Sequence, residues 1–358
     1  MLSYPAAWFG WFRSRDELAK AVAELLLIGF YGANSSSLSA RLLARQVRKG
    51  QVGAVFFVNQ NIGALEQVLA LVRLFHHEDN RCLLAIDHEG GVVQRLTKTH
   101  GFTKIPAARK VASSMSEDEA CVLYTQAGQE LAQLGFNINL GPVLDFHEPS
   151  NPPVGKPGRA FDSHPETIAA FGQAFIKGFG SAGVFCAAKH FPGHGRAVSD
   201  SHDMTADITA TWTEEEIDPY VQLIASPHPP AMVMTGHLRL DSIAPDGRPA
   251  TIAAPIVSGL LRERLRYKGV IMTDDIDMGA VTQFLNRKDA FIQALAAGND
   301  LIMIKNLFGY DPLLPQRAVR WVRNAIAKGT LNEKEIMASA ERIRKVRQQA
   351  HQTSGSYN

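Results

Sequence analysis

The chain is poor in cysteine, has no long apolar run and carries no surplus of either charge. Each shortage excludes a class of protein. Three cysteines occur in 358 residues, Cys82, Cys121 and Cys186. An odd number at wide spacing fits neither a disulfide framework nor a zinc site built from CxxC pairs. Cys82 and Cys186 stand inside apolar runs, where cysteine behaves as a small hydrophobe. A reducing compartment is expected. No run approaches the ~18 apolar residues of a membrane-spanning helix. The N-terminus, MLSYPAAWFGWFRSRDELAK, places its aromatic stretch before its positive charges, the reverse of a secretion signal. The expectation is a soluble cytoplasmic protein with no membrane partner. Lys and Arg number 37 against 35 Asp and Glu, a formal net charge of +2, so no charge bias draws the chain to nucleic acid. A Gly-rich phosphate loop after an early strand is missing too, which argues against an open doubly wound sheet.

What is present is short apolar runs divided by stretches of helical pattern. The runs are LLLIGFY (25–31), VGAVFFV (52–58), RCLLAID (81–87), FNINLGPVLD (136–145), VFCAAKHF (184–191), AMVMTGHL (231–238), GVIMTDD (269–275) and DLIMIK (300–305). They do not alternate with polar residues, the pattern of strands buried on both faces of a parallel sheet. The segments between them suit amphipathic helices. One covers 117–135 and ends on Gly135, a helix-stopping residue. A second covers 163–183 behind a Ser163-x-x-Glu166 capping box, and a third covers 252–269. Eight β-then-α units without a polar linker predict an α/β fold, a single (β/α)8 TIM-type barrel over 1–358. A closing helix is expected in the first two dozen residues, and a charged helix from Asn332 to about Gln352 with a frayed tail.

Reactive side chains collect at the ends of these runs. In such a barrel the C-terminal ends of the strands form the active site. Run three ends in Asp87-His88-Glu89-Gly90-Gly91, with Arg95 soon after; run four ends in Asp145. Run five ends in Lys189-His190 and continues as Phe191-Pro192-Gly193-His194-Gly195; run six ends in His237 and run seven in Asp274-Asp275. A structural protein has no reason to gather charge on one rim, so an enzyme is expected.

The segment KHFPGHGRAVSDSH (189–202) narrows this further. It resembles the signature of glycoside hydrolase family 3, in its bacterial β-N-acetylglucosaminidase branch. IDHEGGVVQRL (86–96), NINLGPVLD (137–145), GRAF (158–161) and GVIMTDDIDMGA (269–280) resemble other family motifs in the same order. The resemblance implies a retaining β-N-acetylhexosaminidase acting on terminal β-linked N-acetylglucosamine, with muropeptide fragments as the source. It implies Asp274 as nucleophile, His202 as general acid/base and Asp200 as the partner of His202. Asp87, Arg95, Arg159, Lys189 and His190 would bind the non-reducing sugar. No metal and no cofactor is implied, and a monomer is expected.

The residues suit these roles chemically. Retention needs a carboxylate that attacks the anomeric carbon and is later displaced by water. Imidazole titrates near neutral pH and can give and take a proton, and an aspartate beside it can fix its tautomer. Gly193 and Gly195 suit a loop that moves over the sugar. Asp275 is the alternative reactive carboxylate, although packing behind Asp274 or capping the next helix suits it better. Arg95 could pair with Glu89 instead of binding sugar. His194 is read as shaping its loop, and His237 and Asp145 as groups behind the site.

Other functions remain open at this level. A histidine acid/base leaves the site less negative than a carboxylate would, so phosphate could be the attacking group in a phosphorylase, drawn by Arg196. A β-glucosidase of the same family is a further alternative. A metal-dependent hydrolase built on His190, His194, His202 and Asp274 is disfavoured, because Pro192 and the glycines prevent the helix that presents such ligands. A sugar-binding barrel without activity would not need both catalytic positions intact. Residues 196–199, Val92 and the Lys156-Pro157 pair depart from the family pattern, which leaves leaving-group preference open.

Overall fold

A computed structural model describes residues 17–76, 82–197, 205–307 and 309–354. All eight apolar runs form strands: β1 (Leu26–Gly29), β2 (Ala54–Phe57), β3 (Leu83–Ile86), β4 (Ile138–Asn139), β5 (Phe185–Phe191), β6 (Met232–Thr235), β7 (Val270–Thr273) and β8 (Ile302–Ile304). Apart from Phe185, every residue in them is buried. That explains the unbroken apolar runs, since helices cover one face and the barrel interior the other. The strands are parallel and ordered β7-β6-β5-β4-β3-β2-β1-β8. A parallel bridge between Met272 and Leu301 closes the ring, with the Thr273 N–H donating to the Leu301 carbonyl at 3.0 Å. The predicted barrel is therefore the observed fold.

Helices follow the strands in turn: α1 (Leu38–Arg48), α2 (Leu65–Phe75), α3 (Glu117–Leu134), α4 (Pro165–Ser181), α5 (Asp218–Ala225), α6 (Pro255–Arg264), α7 (Arg287–Ala297) and α8 (Leu314–Ala327). A last helix, α9 (Glu333–Ser354), runs back across the barrel. Its Ser339 and Arg342 donate to the buried Asp300 carboxylate at 2.7 and 2.8 Å, and Arg262 of α6 does so at 2.7 Å. A fully buried charge needs this degree of pairing. Of the expected N-terminal helix, residues 17–24 are helical and bury Leu18, Ala21 and Val22; residues 1–16 lie outside the described set. Among the described residues no helix is long and apolar enough to cross a membrane.

Several boundaries differ from expectation for local reasons. The ladder of β4 covers two residues rather than the ten of its run, because Pro142 has no N–H to offer. The chain instead rejoins β5 when the Leu144 N–H donates to the Lys189 carbonyl at 2.7 Å. The Ser163–Glu166 capping box does not form. Pro165 starts α4 one residue later, and the Asp162 carboxylate accepts the Ser163 and His164 N–H groups at 2.7 and 3.3 Å. The helix expected over 252–269 is α6, shorter and wound as a π-helix, with Leu265 donating back to Leu260 at 3.0 Å. By contrast, α3 ends as predicted on Gly135, at φ 100°. It packs against α4 at Gly178, where a Cβ would lie 2.6 Å from the Tyr124 Cβ. Only glycine permits that approach.

Candidate active site

The site is built on the C-terminal rim. After β3 the chain turns through a short hairpin, His88–Gly90 against Val93–Gln94. Gly90 and Gly91 at φ 110° and 56° make the turn possible. The Asn139 side chain, at the end of β4, pins the hairpin by accepting the His88 N–H and donating to its carbonyl, both at 3.0 Å. The turn brings Arg95 back to Asp87 at 3.1 Å and leaves Glu89 pointing inward. Lys189 reaches from β5 to both carboxylates, 3.0 Å from Asp87 and 2.6 Å from Glu89. Arg159 closes the set with two 2.8 Å bonds to Glu89. Burial would raise the Asp87 carboxyl, but Lys189 and Arg95 hold it down at about 2. Burial would likewise lower the Lys189 ammonium, and Glu89 and Asp87 keep it above its ordinary value.

Behind β5, the buried Asp145 organises the next loop. It accepts the His190 backbone N–H at 3.1 Å, the His190 Nδ1–H at 2.7 Å and the His194 N–H at 2.8 Å. Burial lowers the His194 imidazole to about 4, so it is neutral at neutral pH. Asn151 donates to the carbonyls of His194 and Ala197, each at 2.9 Å, tying this loop to the Pro-rich segment that carries Arg159. Below the loop lies Glu216. At Gly193, φ 125°, a Cβ would come within 2.4 Å of its Oε2, so glycine is required there for both conformation and space. Burial pushes the Glu216 carboxyl up to about 8.

Asp274 ends β7. Its N–H donates to the Thr235 carbonyl at 3.0 Å, and its Oδ1 accepts the Asp275 N–H at 2.7 Å. Burial opposes its ionisation, but His237, His190, Lys305 and the Asp275 N–H outweigh that and hold it well below the usual carboxylate range. Asp275 packs behind it, its Oδ1 accepting the Lys305 and Asp277 N–H groups at 2.9 and 3.2 Å. Burial raises Asp275 to about 6. His237 sits between the Thr251 hydroxyl and the Asp275 carbonyl, 2.9 Å from each.

One cavity of about 480 Å³ opens among these groups, with Asp145, Glu216, His237 and Asp275 behind its wall. Asp87, Arg95, Arg159, Lys189, His190 and Asp274, six residues singled out from the sequence, all reach its wall. Asp200 and His202 fall in 198–204, outside the described residues. The alternative pairing of Arg95 with Glu89 is corrected: Arg95 holds Asp87, and Glu89 takes Arg159 and Lys189. Sequence reasoning passed over Lys305, the polar residue that ends run eight and also lines the cavity. Its position at a strand end was the available signal. Asn151 was missed as well, and nothing in its Pro-rich surroundings marked it.

The pattern of the glycosyl hydrolase family 3 N-terminal domain matches residues 18–346. The chain belongs to glycosyl hydrolase family 3. Among curated members it is 29% identical over 343 residues to a Beta-hexosaminidase A of Pseudoalteromonas piscicida, covering 88% of this chain and 56% of that protein. It is 30% identical over 345 residues to a Beta-hexosaminidase of Alkalilimnicola ehrlichii, covering 90% of this chain and 96% of that one. Among solved structures, a family 3 β-N-acetylglucosaminidase from a Paenibacillus species superposes with a TM-score of 0.83 at 30% identity, over 93% of this chain and 62% of that one. The β-N-acetylhexosaminidase of Beutenbergia cavernae gives 0.80 at 28%, over 92% and 98%. This family 3 chain thus spans little more than half of some relatives and nearly all of others.

Proposed function

We propose that the protein is a retaining β-N-acetylhexosaminidase that removes terminal non-reducing β-linked N-acetylglucosamine, with peptidoglycan fragments as its natural source. The observation that carries this reading is Asp274 at the strand tip, held as an anion and lining the same cavity as a fixed array of cations and carboxylates. The β-hexosaminidase and β-N-acetylglucosaminidase names of its relatives support the same substrate class.

In this mechanism Asp274 attacks the anomeric carbon as the glycosidic bond breaks. His202, oriented by Asp200, gives its proton to the departing oxygen, and a covalent glycosyl–aspartate forms. Water then attacks the same carbon, its proton returns to His202, and Asp274 leaves as a carboxylate, so the anomer is retained. Asp87 and Arg95 grip hydroxyls at the closed end of the cavity, with Lys189 and His190 beside them. Arg159 offers its remaining donors to the sugar. Because these groups are already locked to one another, they hold the ring without reorganising. The chain works as one catalytic barrel, a cytoplasmic monomer without metal or organic cofactor.

The test is release of 4-nitrophenol from its β-N-acetylglucosaminide and β-glucoside by wild type and Asp274→Ala, with and without phosphate or EDTA. Turnover selective for the acetamido sugar is expected, indifferent to phosphate and EDTA, and reduced about 10³-fold or more in Asp274→Ala. Phosphate-dependent turnover would identify a phosphorylase, and full activity in Asp274→Ala would dismiss the assigned nucleophile.

A further inference from the structure

Four cationic side chains line the cavity: Arg95, Arg159, Lys189 and Lys305. Those of Arg95, Arg159 and Lys189 are fastened to Asp87 or Glu89 at 2.6–3.1 Å. Lys305 is placed differently. It stands at the tip of β8, its side chain is 27% exposed, and its Nζ lies 3.4 Å from the Asp275 Oδ2. Its backbone N–H donates to the other oxygen of the same carboxylate at 2.9 Å. Asp275 in turn donates its N–H to the Asp274 Oδ1 at 2.7 Å. One residue of β8 therefore engages both oxygens of the carboxylate whose own amide braces Asp274.

We propose that Lys305 is a positioning residue, which fixes Asp275 against the back of Asp274 and so keeps the nucleophile aimed into the cavity as an anion. The inference rests on Asp274 being the nucleophile. Lys305 itself faces Asp87 as well as Asp274 and Asp275. Asp274 is faced by His237 from beyond β6, His190 from β5 and Lys305 from β8. Asp275 is faced by Lys305 and by Asp277, whose charge is engaged by Arg287 at 2.7 and 2.9 Å. Among the described residues, removing Lys305 leaves Asp275 buried beside Asp277 without its ion-pair partner, which favours its protonated form. Asp274 then loses one of the positive charges that favour its anion.

The experiment compares Lys305→Met and Lys305→Arg, following kcat/KM on the chromogenic β-N-acetylglucosaminide from about pH 4 to about pH 9. In Lys305→Met the acid limb set by Asp275, near 6 in the wild type, is expected to move up by about one unit, with a loss of about 5-fold at pH 6. In Lys305→Arg the limb stays near its wild-type position. Lys305→Gln serves as a second neutral variant, with thermal melts to establish folding. A folded neutral variant with an unmoved acid limb, or with a change in KM alone, overturns the proposal. Asp274→Ala is assayed in parallel: its retained activity would remove the nucleophile assignment itself, whereas its inactivity beside an unmoved limb in Lys305→Met refutes only the role of Lys305.

Discussion

Arg159 and Glu89 meet through two parallel bonds, Nε and Nη2 each 2.8 Å from a carboxylate oxygen. They are 70 residues apart in the chain, so this fork fixes the Pro-rich loop against the β3 hairpin. The geometry suits guanidinium and no other side chain, because an ammonium is a point charge and cannot fill both bonds.

Breaking this fork should therefore be felt in both stability and binding. Arg159→Met leaves Glu89 buried with Lys189 alone and is expected to destabilise the fold by about 3 kcal/mol, in the range for an orphaned buried ion. Arg159→Lys should recover part of the stability while KM stays raised. Denaturant melts and Michaelis kinetics on the three proteins check this. Equal stability of Arg159→Met and wild type would mean the pair contributes no net support.

Asp145 should matter through His190. Asp145→Asn keeps the volume and one acceptor for the backbone N–H groups, but presents an amide where the imidazole N–H needs a carboxylate. The expected outcome is a fall in kcat/KM of about 10- to 100-fold, the scale of losing an orienting partner of a site histidine. Thermal melts should shift far less than activity. A large drop in melting temperature with normal kcat would reassign Asp145 to a purely structural role.

Glu216 provides a pH test of known sign. Its carboxyl titrates near 8 in the folded chain against an ordinary value of 4.5. Below about 4.5 the group is neutral in both states and contributes no pH dependence. Between about 4.5 and about 8 the unfolded chain gives up the proton first, so stability falls as pH rises, by up to about 1.4 kcal/mol per unit. Glu216→Gln stays neutral throughout. It should match wild type near pH 4 and exceed it near pH 8, by an amount on the order of 4 kcal/mol. Chemical denaturation at the two pH values measures the gap, and a gap that does not grow with pH would contradict the buried neutral carboxyl.

The strands could be read from the sequence because most are apolar on both faces. β4 was the exception, since periodicity does not register that Pro142 removes a ladder donor. The start of α4 was misplaced for a similar reason: Ser163 matched a capping pattern, but Asp162 was the better acceptor and Pro165 set the first turn. The site followed from position. Asp87, Lys189, His190 and Asp274 stand at strand ends and reach the cavity, whereas Asp145 and His237, at strand ends too, lie buried behind it. Which cation holds which carboxylate was not readable. Arg95 lies closer in sequence to Glu89 than Arg159 does, yet the hairpin turns it onto Asp87 instead. Such pairings depend on loop paths, which side-chain identity does not encode.

The joint that closes the barrel has a character of its own. Between β7 and β8 main-chain bonds run from the Thr273, Leu301 and Ile276 N–H groups to the Leu301, Ile271 and Met303 carbonyls, and side-chain oxygens take amides between them. Thr273 Oγ1 accepts the Met303 N–H at 3.0 Å, Asp275 Oδ1 the Lys305 N–H and Asp300 Oδ2 the Ile271 N–H, both at 2.9 Å. The β3–β4 joint borrows a side chain in the same way, the Leu84 N–H donating to the Asn137 Oδ1 at 2.8 Å. At the β7–β8 joint three particular residues share the pairing. A substitution at Thr273, Asp275 or Asp300 thus edits the backbone stitching as well as a side chain, beside the strand that carries Asp274.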